Sequence, residues 1–456
     1  MLGLIKKAGF ALVVFCLSIP AGMMAQETSV LYNFSGLPQS AFVNPAIQNT
    51  TGRLVIGMPV FSGVYGDWNS SVPLNSLFSR GFSYSFSRFY NALGEQGSAR
   101  VNAGVTVFFA SMKHQDYTFS LSVSERGFGA GRFDREIVRF IRDGTLGFFG
   151  TNEDLGSATF FFRHYRELAP GISKQIWEGL DIGIRPKVLF GKLNFEMEEM
   201  FMSVESPEEN GKMFLKPEGT FKLSGPFKHK RDTIFHFSSF TAGVSPGDYF
   251  FQPRNLGVAL DFGIVYRPNK FAEWSFSITD AGLIGFRHNS FDTKFSRPII
   301  YSANRPYQSN APDEDCYLEP REALKAFGDS VSYIIDVSDA EKRNYSALPT
   351  KIHAAAKFRL SEKTTLGASN QVTFFSDKTQ NSFTPFVETF FFPNLGMYGS
   401  LTLMNFSAVL PGFGLTYTGD FLQFYLAGNN ISGIFQPASA KHVNLCLGIN
   451  FLFKTK

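Results

Sequence analysis

Apolar and polar residues alternate with a period of two along much of this chain. In the stretch YTFSLSVSER, the apolar residues Tyr117, Phe119, Leu121 and Val123 alternate with Thr118, Ser120, Ser122 and Ser124. Successive side chains of a β-strand point to opposite faces, so the stretch predicts a strand with one apolar and one small polar face. The same pattern predicts strands over 54–63, 101–110, 117–125, 158–168, 180–190, 256–267, 273–280, 352–360, 365–375, 382–391, 396–405, 412–418, 421–428 and 442–453.

These segments, about ten residues long, match tilted strands that cross a bilayer. Their connections alternate in length. Short ones stand at 111–116, 268–272, 361–364, 392–395 and 419–420, and the long ones include 64–100, 126–157, 191–255 and 281–351. Outer-membrane barrels pair tight periplasmic turns with long external loops. This alternation of short and long connections therefore predicts an all-β, antiparallel transmembrane barrel of about 14 strands with both termini in the periplasm.

Charged residues of the central segments fall on the face opposite to the apolar one. A charge facing lipid near the midplane costs about 2–4 kcal/mol, so these residues are predicted to face the lumen. They are Arg185, Lys187, Asp261, Arg267, His353, Lys357 and Arg359. They could set selectivity, pair across the lumen, hold a luminal segment or simply face water. Asp261, a carboxylate among basic groups, invites a charge-assisted hydrogen bond.

The N-terminus has the layout of a secretory signal peptide. A basic pair, Lys6 and Lys7, precedes the apolar stretch 8–19, and Ala25 stands at the expected cleavage site. We therefore predict a signal peptide over 1–25, an N-terminal segment over 26–50, and a barrel over 51–456 in the outer membrane of a Gram-negative cell.

Composition narrows the function classes. Phe occurs 53 times although the mean hydropathy is only -0.04, as expected when apolar and polar residues alternate. After the N-terminus there is no run of 18 apolar residues, which argues against a helical membrane protein. The net charge of +4 is spread along the chain and gives a nucleic-acid partner no support.

Motifs for catalysis or metal binding are missing from the sequence. Cys316 and Cys446 are far apart, the seven histidines are scattered, and no Gly-x-Ser-x-Gly is present. We expect no enzyme activity, no catalytic residue, no metal site and no cofactor.

Several motifs carry a family resemblance. The step Asn44-Pro45-Ala46 before the first strand is similar to one in the fatty-acid outer-membrane transporters and the type IX secretion shuttle barrels. With NLGVALDFGIVYRP (255–268), LPTKIHAAAKF (348–358) and GDFLQFYLAGNNISGIFQP (419–437), it looks like a family of uncharacterised Bacteroidota outer-membrane proteins related to both groups. The resemblance implies a 14-stranded barrel whose N-terminal segment, here about 26–50, plugs the lumen.

The composition of that segment suits a plug. Its apolar side chains include Leu31, Tyr32, Phe34, Leu37 and Phe42. They could fill a lumen that is too wide for the wall side chains of about 14 strands. We expect Asn33, Gln39 and Asn44 to bond to lumen groups such as Arg185 or Asp261, and Pro45 to hold Asn44 extended. A disordered periplasmic leader is the alternative.

Two loop segments are predicted to be short helices. Phe133, Ile137 and Phe140 share one face of the first, and 319–328 with Leu324 and Phe327 is the second. In the transporters that this chain resembles, loop helices help to form a hydrophobic groove. The alternative here is that the helices only pack over the barrel mouth.

Two functional hypotheses remain open. The barrel, surrounded by outer-membrane lipid, passively admits a small hydrophobic ligand past the plug, as the resemblance to fatty-acid transporters implies. Alternatively, it is an assembly or secretion partner that holds another envelope protein through its external loops.

Overall fold

A computed structural model describes most of the chain. The described residues are 29–49, 51–76, 86–143, 145–207, 212–225, 254–295, 298–302, 335–336, 343–375, 379–405, 408–430, 433, 435–436 and 438–453. The predicted signal peptide lies outside them.

Strands dominate the structure. The helices are α1 (Ser29–Asn33), α2 (Phe86–Ala92) and α3 (Arg135–Asp143), with 3-10 turns at Pro38–Phe42, Leu74–Ser76 and Thr145–Phe148. The strands are β1 (Leu54–Gly57), β2 (Val64–Ser70), β3 (Gln96–His114), β4 (Tyr117–Asp134), β5 (Asn152–Trp177), β6 (Leu180–Glu205), β7 (Lys212–Ser224), β8 (Leu256–Asn269), β9 (Ala272–Phe286), β10 (Ser290–Phe295), β11 (Ile299–Ser302), β12 (Ile335–Asp336), β13 (Asn344–Ala347), β14 (Thr350–Arg359), β15 (Thr364–Phe374), β16 (Thr379–Phe392), β17 (Leu395–Met404), β18 (Ala408–Thr418), β19 (Leu422–Gly428) and β20 (His442–Phe453). None of the described helices is long and apolar enough to cross a membrane.

All these strands belong to one antiparallel sheet that closes on itself. β20 pairs with β19 on one side and with both β1 and β2 on the other. The ring has about 14 wall positions, which confirms the predicted barrel. β1 and β2 together occupy the first wall position. β13 and β14 together occupy another, because both pair with β9.

The predicted strand 54–63 is wrong in its bounds. Gly57 pairs with Asn450 and Val64 with Leu447, so residues 58–63 oppose only two residues of β20. Pro59 has no N–H to donate to a neighbouring strand, and Val60 has a φ of 69°. The chain therefore bulges between β1 and β2, although Met58 still donates to the Ile449 carbonyl and Val60 to the Val107 carbonyl.

The five predicted short connections and the tight turn between β5 and β6 all lie at one end of the ring, called the turn end here. They join β3 to β4, β5 to β6, β8 to β9, β14 to β15, β16 to β17 and β18 to β19. The opposite end, called the loop end, carries the long connections.

At the loop end, the strands run further than predicted. β6 pairs with β8 over 180–190 and then with β7 over 194–205, inside the expected loop 191–255. The expected loop 281–351 contains β10 to β13 and the end of β9. Strands that have left the bilayer need no lipid-facing face, so 194–205 pairs without strict alternation.

Residues 29–49 lie inside the ring, which confirms the luminal N-terminal segment of the predicted fold. They contact inward-facing side chains of strands on both sides of the lumen. We call this stretch the luminal segment.

The ring predicts a labelling pattern. After Cys316 and Cys446 are changed to Ser, Glu198→Cys at the loop end should react in intact cells with a membrane-impermeant maleimide. Glu362→Cys, in the turn between β14 and β15, should react only after the outer membrane is permeabilised. Labelling of Glu362→Cys alone in intact cells would reverse the assigned orientation.

Candidate functional site

The luminal segment is compact because its two halves fold back on each other. Gly36 adopts a φ of 78°, which favours glycine, and the chain then enters the 3-10 turn that starts at Pro38. The hydroxyl of Ser40 donates to the carbonyl of Leu31 over 2.6 Å. This bond ties the turn to α1.

One side of the segment is an apolar core shared with the wall. Val30, Leu31, Tyr32, Phe34, Leu37 and Val43 pack with Tyr65, Ala355, Phe386, Tyr398, Tyr425, Ala427 and Cys446. The rings of Phe34 and Tyr398 have centroids 5.1 Å apart. A β-carbon on Gly414 would overlap the Phe34 ring, so this wall position accommodates the segment only as glycine.

Polar bonds fix the segment to strands β16 and β20. Glu388 accepts the backbone N–H of Ser35 over 2.9 Å and its hydroxyl over 2.6 Å. The side-chain amides of Gln39 and Asn450 bond to each other in both directions, and Gln39 also donates to the Ser62 carbonyl over 3.0 Å. All of these side chains except Ser35 are buried.

Tyr32 anchors α1 on the side of β9 and β14. Its hydroxyl bonds to Ser275, and its carbonyl accepts Lys357 Nζ over 2.8 Å. Its ring lies 4.5 Å from the His353 ring. Burial raises the pKa of the Tyr32 phenol, so the hydroxyl stays protonated. The two inward-facing residues His353 and Lys357 thus hold the segment.

Asn44, Pro45 and Ala46 sit in a recess of the wall. Asn44 Nδ2 donates to the carbonyls of Ile264 and Phe276 over 3.1 and 3.3 Å. Its Oδ1 accepts the Ala46 N–H over 2.9 Å. The recess exists because Gly183 and Gly263 stand there, since a β-carbon at Gly183 would overlap Pro45 and one at Gly263 would overlap Asn44.

The expected partners of the plug amides are wrong. Asn33 donates to the Tyr398 hydroxyl over 2.8 Å, Gln39 bonds to β20, and Asn44 bonds to backbone. Arg185 and Asp261 are unavailable as amide partners because they pair with each other. Arg185 instead lies with its guanidinium 5.0 Å from the Phe42 ring centroid.

Seven buried charges form an arc on one half of the lumen wall. Arg126, Glu167, Arg185, Lys187, Asp261, Asp280 and Lys351 stand on β4, β5, β6, β8, β9 and β14. Arg185 Nε lies 2.8 Å from Asp261 Oδ2, and Lys187 Nζ lies 2.9 Å from Asp261 Oδ1. Asp261, whose partners the sequence left open, therefore bridges two cations.

The remaining arc members extend this pairing. Lys351 Nζ lies 2.9 Å from Asp280, which also pairs with Lys187. Glu167 lies 3.6 to 3.7 Å from Arg126, Arg185 and Lys187. The four cations and three carboxylates of the arc are thus paired with one another, with one positive charge in excess.

Sequence reasoning missed four members of the arc. Arg126, Glu167 and Lys351 lie on strands, but they are not among the residues that the sequence pattern predicted to face the lumen. Asp280 lies an even number of residues from the lipid-facing Phe276 and Ile278, so strict alternation would point its side chain at the lipid. However, Thr279 and Asp280 together lie opposite the single residue Asp261. This bulge, with a φ of 59° at Asp280, turns its carboxylate into the lumen. The sequence did carry a signal for Asp280, because an acidic residue stood at a position that alternation assigns to the lipid.

The other predicted lumen residues lie near the turn end. Arg267 bonds to Asp181 and to Glu273 over 2.8 Å. Arg359 is exposed, and its backbone N–H donates to the Phe271 carbonyl. Both therefore belong to the rim of the lumen and lie apart from the arc.

Aromatic rings cross the lumen nearer the loop end. Phe375 stacks on Phe128 with centroids 5.5 Å apart, and Phe128 contacts Phe161 at 5.1 Å. The Arg100 guanidinium lies 3.8 Å from the Phe375 centroid. Because β15 faces β3 and β4 across the ring, these residues join opposite walls.

The first predicted loop helix is α3, which packs inward. Ile137 and Phe140 are buried with Phe148, Leu155 and other residues in a core shared with the loop-end parts of β5, β6 and β7, and Phe133 belongs to β4 instead of the helix. Packing accounts for this burial; a ligand groove stays a prediction. Leu324 and Phe327 lie outside the described residues.

Metal binding finds no support in the described part of the chain, where no three His, Cys, Asp or Glu side chains are placed to hold an ion. Cys446 is a buried free thiol.

Replacing Glu388 tests the hold on the luminal segment. Glu388→Ala removes two bonds to Ser35, so the segment should leave its seat about thirtyfold more often, a loss of about 2 kcal/mol. Openings of single channels in planar bilayers report this change. Thr384→Ala is the control, because that inward hydroxyl of the same strand bonds to Thr402. Openings as rare as in the unchanged protein would show that Glu388 does not hold the segment.

Asp261→Asn tests the arc. Arg185 and Lys187 would lose their shared partner, which should lower the free energy of unfolding by about 3–5 kcal/mol. Urea unfolding in detergent, followed by heat-modifiable gel migration, measures the loss. Glu362→Gln in an exposed turn should change stability by less than about 0.5 kcal/mol. Equal effects of both substitutions would contradict the paired arrangement.

Solved channels and transporters have similar folds at low sequence identity. A TodX deltaS2S3 mutant, a monoaromatic hydrocarbon channel, is 8% identical with a TM-score of 0.46, over 95% of this chain and 97% of that one. The Ralstonia pickettii toluene transporter TbuX is 8% identical with a TM-score of 0.44, over 95% and 98%. A Pseudomonas aeruginosa FadL homologue is 10% identical with a TM-score of 0.41, over 94% and 96%. Likeness at this level supports no statement about a substrate.

Among curated proteins, no sequence matches this chain. A protein-family model, described as a family of unknown function (DUF5723), matches residues 45–429. This range begins at Pro45 in the wall recess and includes the strands from β1 to β19. The match covers well over half of the chain, and the protein therefore belongs to that family.

Proposed function

We propose that this protein is an outer-membrane barrel through which small hydrophobic molecules cross passively, with the luminal segment as its gate. The observation that carries the proposal is the surface that the segment covers. On the β16 to β20 side, that surface consists of Phe386, Tyr398, Tyr425, Ala427 and Cys446. When the segment moves, an apolar and aromatic strip of wall becomes accessible.

The rest of the lumen is consistent with an apolar passenger. The arc charges, four cations and three carboxylates, pair with each other on the opposite half of the wall. Towards the loop end, Phe128, Phe161 and Phe375 offer ring faces to a molecule before it meets the segment. A hydrophobic molecule in the lumen would replace the contacts that Phe34 and Leu37 make with the wall by similar contacts of its own.

The location rests on the predicted signal peptide and on the wall. Large apolar side chains are exposed on the outside of the ring, among them Phe119, Ile184, Leu260 and Phe276. Such a surface is stable against lipid and costly against water. The barrel is therefore proposed for the outer membrane, where closed barrels reside.

Uptake of an apolar dye tests the function. Cells of a Gram-negative host that produce the protein should take up N-phenyl-1-naphthylamine several-fold faster than cells with an empty vector. Phe128→Ser should reduce this rate, because it removes ring contacts above the gate, whereas Thr402→Ser should leave it unchanged. Uptake at the vector rate by a correctly inserted barrel would refute the transport proposal.

Deleting residues 27–43 behind an intact signal peptide tests the gate separately. The truncated barrel loses the core of the segment and should conduct ions with large, ohmic steps in planar bilayers, since water enters a lumen of this width. If it inserts and conducts no more than the full-length protein, the segment is not the gate.

The second hypothesis, an assembly or secretion partner, stays a prediction. Much of the two loops that would hold another protein lies outside the described residues. A stoichiometric envelope protein that co-purifies, together with no dye uptake, would favour it over transport.

A further inference from the structure

The lipid-facing wall has a depression on β14 and β15. Two neighbouring rows of outward residues cross it from β9 to β16. One row runs Phe276, Ala354, Asn370, Phe383, and the other runs Trp274, Ala356, Ala368, Pro385. Aromatic side chains stand at three of the four row ends and Pro385 at the fourth, while three alanines and Asn370 stand in the middle. The resulting cavity measures about 580 Å³.

Apolar residues close the depression on its remaining sides. Ile352 and Val372 form the next row towards the loop end, and Phe358 and Leu366 form the next row towards the turn end. The floor is therefore a patch of four positions, three of them alanine, surrounded by larger side chains.

Asn370 is the unexpected member of this floor. Its neighbours on the same face are Ala354, Phe383, Ala368 and Val372, and none of these side chains can form a hydrogen bond. It stands near the middle of β15, which has 11 residues, and so lies deep in the hydrocarbon. A carboxamide without a partner in that medium costs several kcal/mol.

Lipid cannot supply the missing partner. Acyl chains at this depth carry no donors or acceptors, and the groups that do lie towards the surfaces of the bilayer. On the same face, Asn381 of β16 lies opposite Val372, one row away, and the four side chains next to Asn370 offer no bond; a partner at the depth of Asn370 would come from another membrane-embedded molecule.

We propose that this depression is the contact surface between two copies of the chain. A two-fold axis beside Asn370 would place it against Asn370 of the partner subunit, where each carboxamide can donate and accept one bond. The alanine floor allows close approach of the two walls. Phe383, the ridge at the edge of the depression, would fill the partner's depression, so the surface is complementary to itself in shape and in hydrogen bonding.

Cross-linking in native membranes tests the contact. In a background with Cys316→Ser and Cys446→Ser, Ala368→Cys keeps Asn370 and places thiols near the proposed axis. A short bis-maleimide should convert most of this variant to a covalent dimer. Leu415→Cys, outward on β18 and away from the depression, is the matched control. Equal cross-linking of the two variants would overturn the proposal.

Sedimentation in detergent provides a second measurement. Asn370→Leu removes both amide bonds and should raise the monomer–dimer Kd by about tenfold. Ala368→Phe fills the floor and should leave only monomer, while Leu415→Phe should sediment like the unchanged protein. Heat-modifiable gel migration shows that each barrel is folded. A monomeric unchanged protein, or a tightly bound lipid that fills the depression, would overturn the proposal.

Discussion

The whole architecture depends on one constraint: hydrocarbon offers no hydrogen bonds, so every wall strand must be paired on both sides. β20 meets this constraint by pairing with β19 and with the divided first position of β1 and β2. Closure at about 14 strands in turn sets a lumen that wall side chains cannot fill. The chain therefore supplies an internal segment, and the inward residues are selected for what they do with it or with each other.

The two halves of the lumen wall carry different kinds of inward side chains, and the lumen is filled differently on each half. From β4 to β14, the wall carries the charged arc, whose members pair with one another. From β15 to β20, Glu388 is the buried charge among the described inward positions, most of which are hydroxyls, amides and aromatic rings, and there the luminal segment packs its apolar side. Apolar side chains placed against the arc would leave its charges poorly solvated, so Phe42 meets Arg185 through a ring face instead.

The sequence predicted the structure best where the membrane restricts it most. Between lipid and lumen, alternation is obligatory, so the strands were predicted correctly, and Arg185 and Asp261 lie buried at the paired positions of β6 and β8. Beyond the bilayer, the restriction ends, and 194–205 was mistaken for a loop. A bulge at Asp280 and the break at 58–63 shift the parity locally. Bond partners such as Ile264 for Asn44 depend on which strands lie opposite in space, which periodicity does not reveal.

The way the luminal segment is attached limits how it can move. Asn49 lies five residues before β1, so the C-terminal end of the segment can travel at most about 18 Å from the wall. Asn44 and Pro45 also occupy a recess that Gly183 and Gly263 shape for them. At the other end of the described segment, Lys357 bonds to the carbonyl of Tyr32 in α1, and Glu388 bonds to Ser35 just after α1. In the gating that we propose, the opening movement begins at α1 and exposes the aromatic strip of β16 to β20 first, while Asn44 and Pro45 act as the fixed end of the gate.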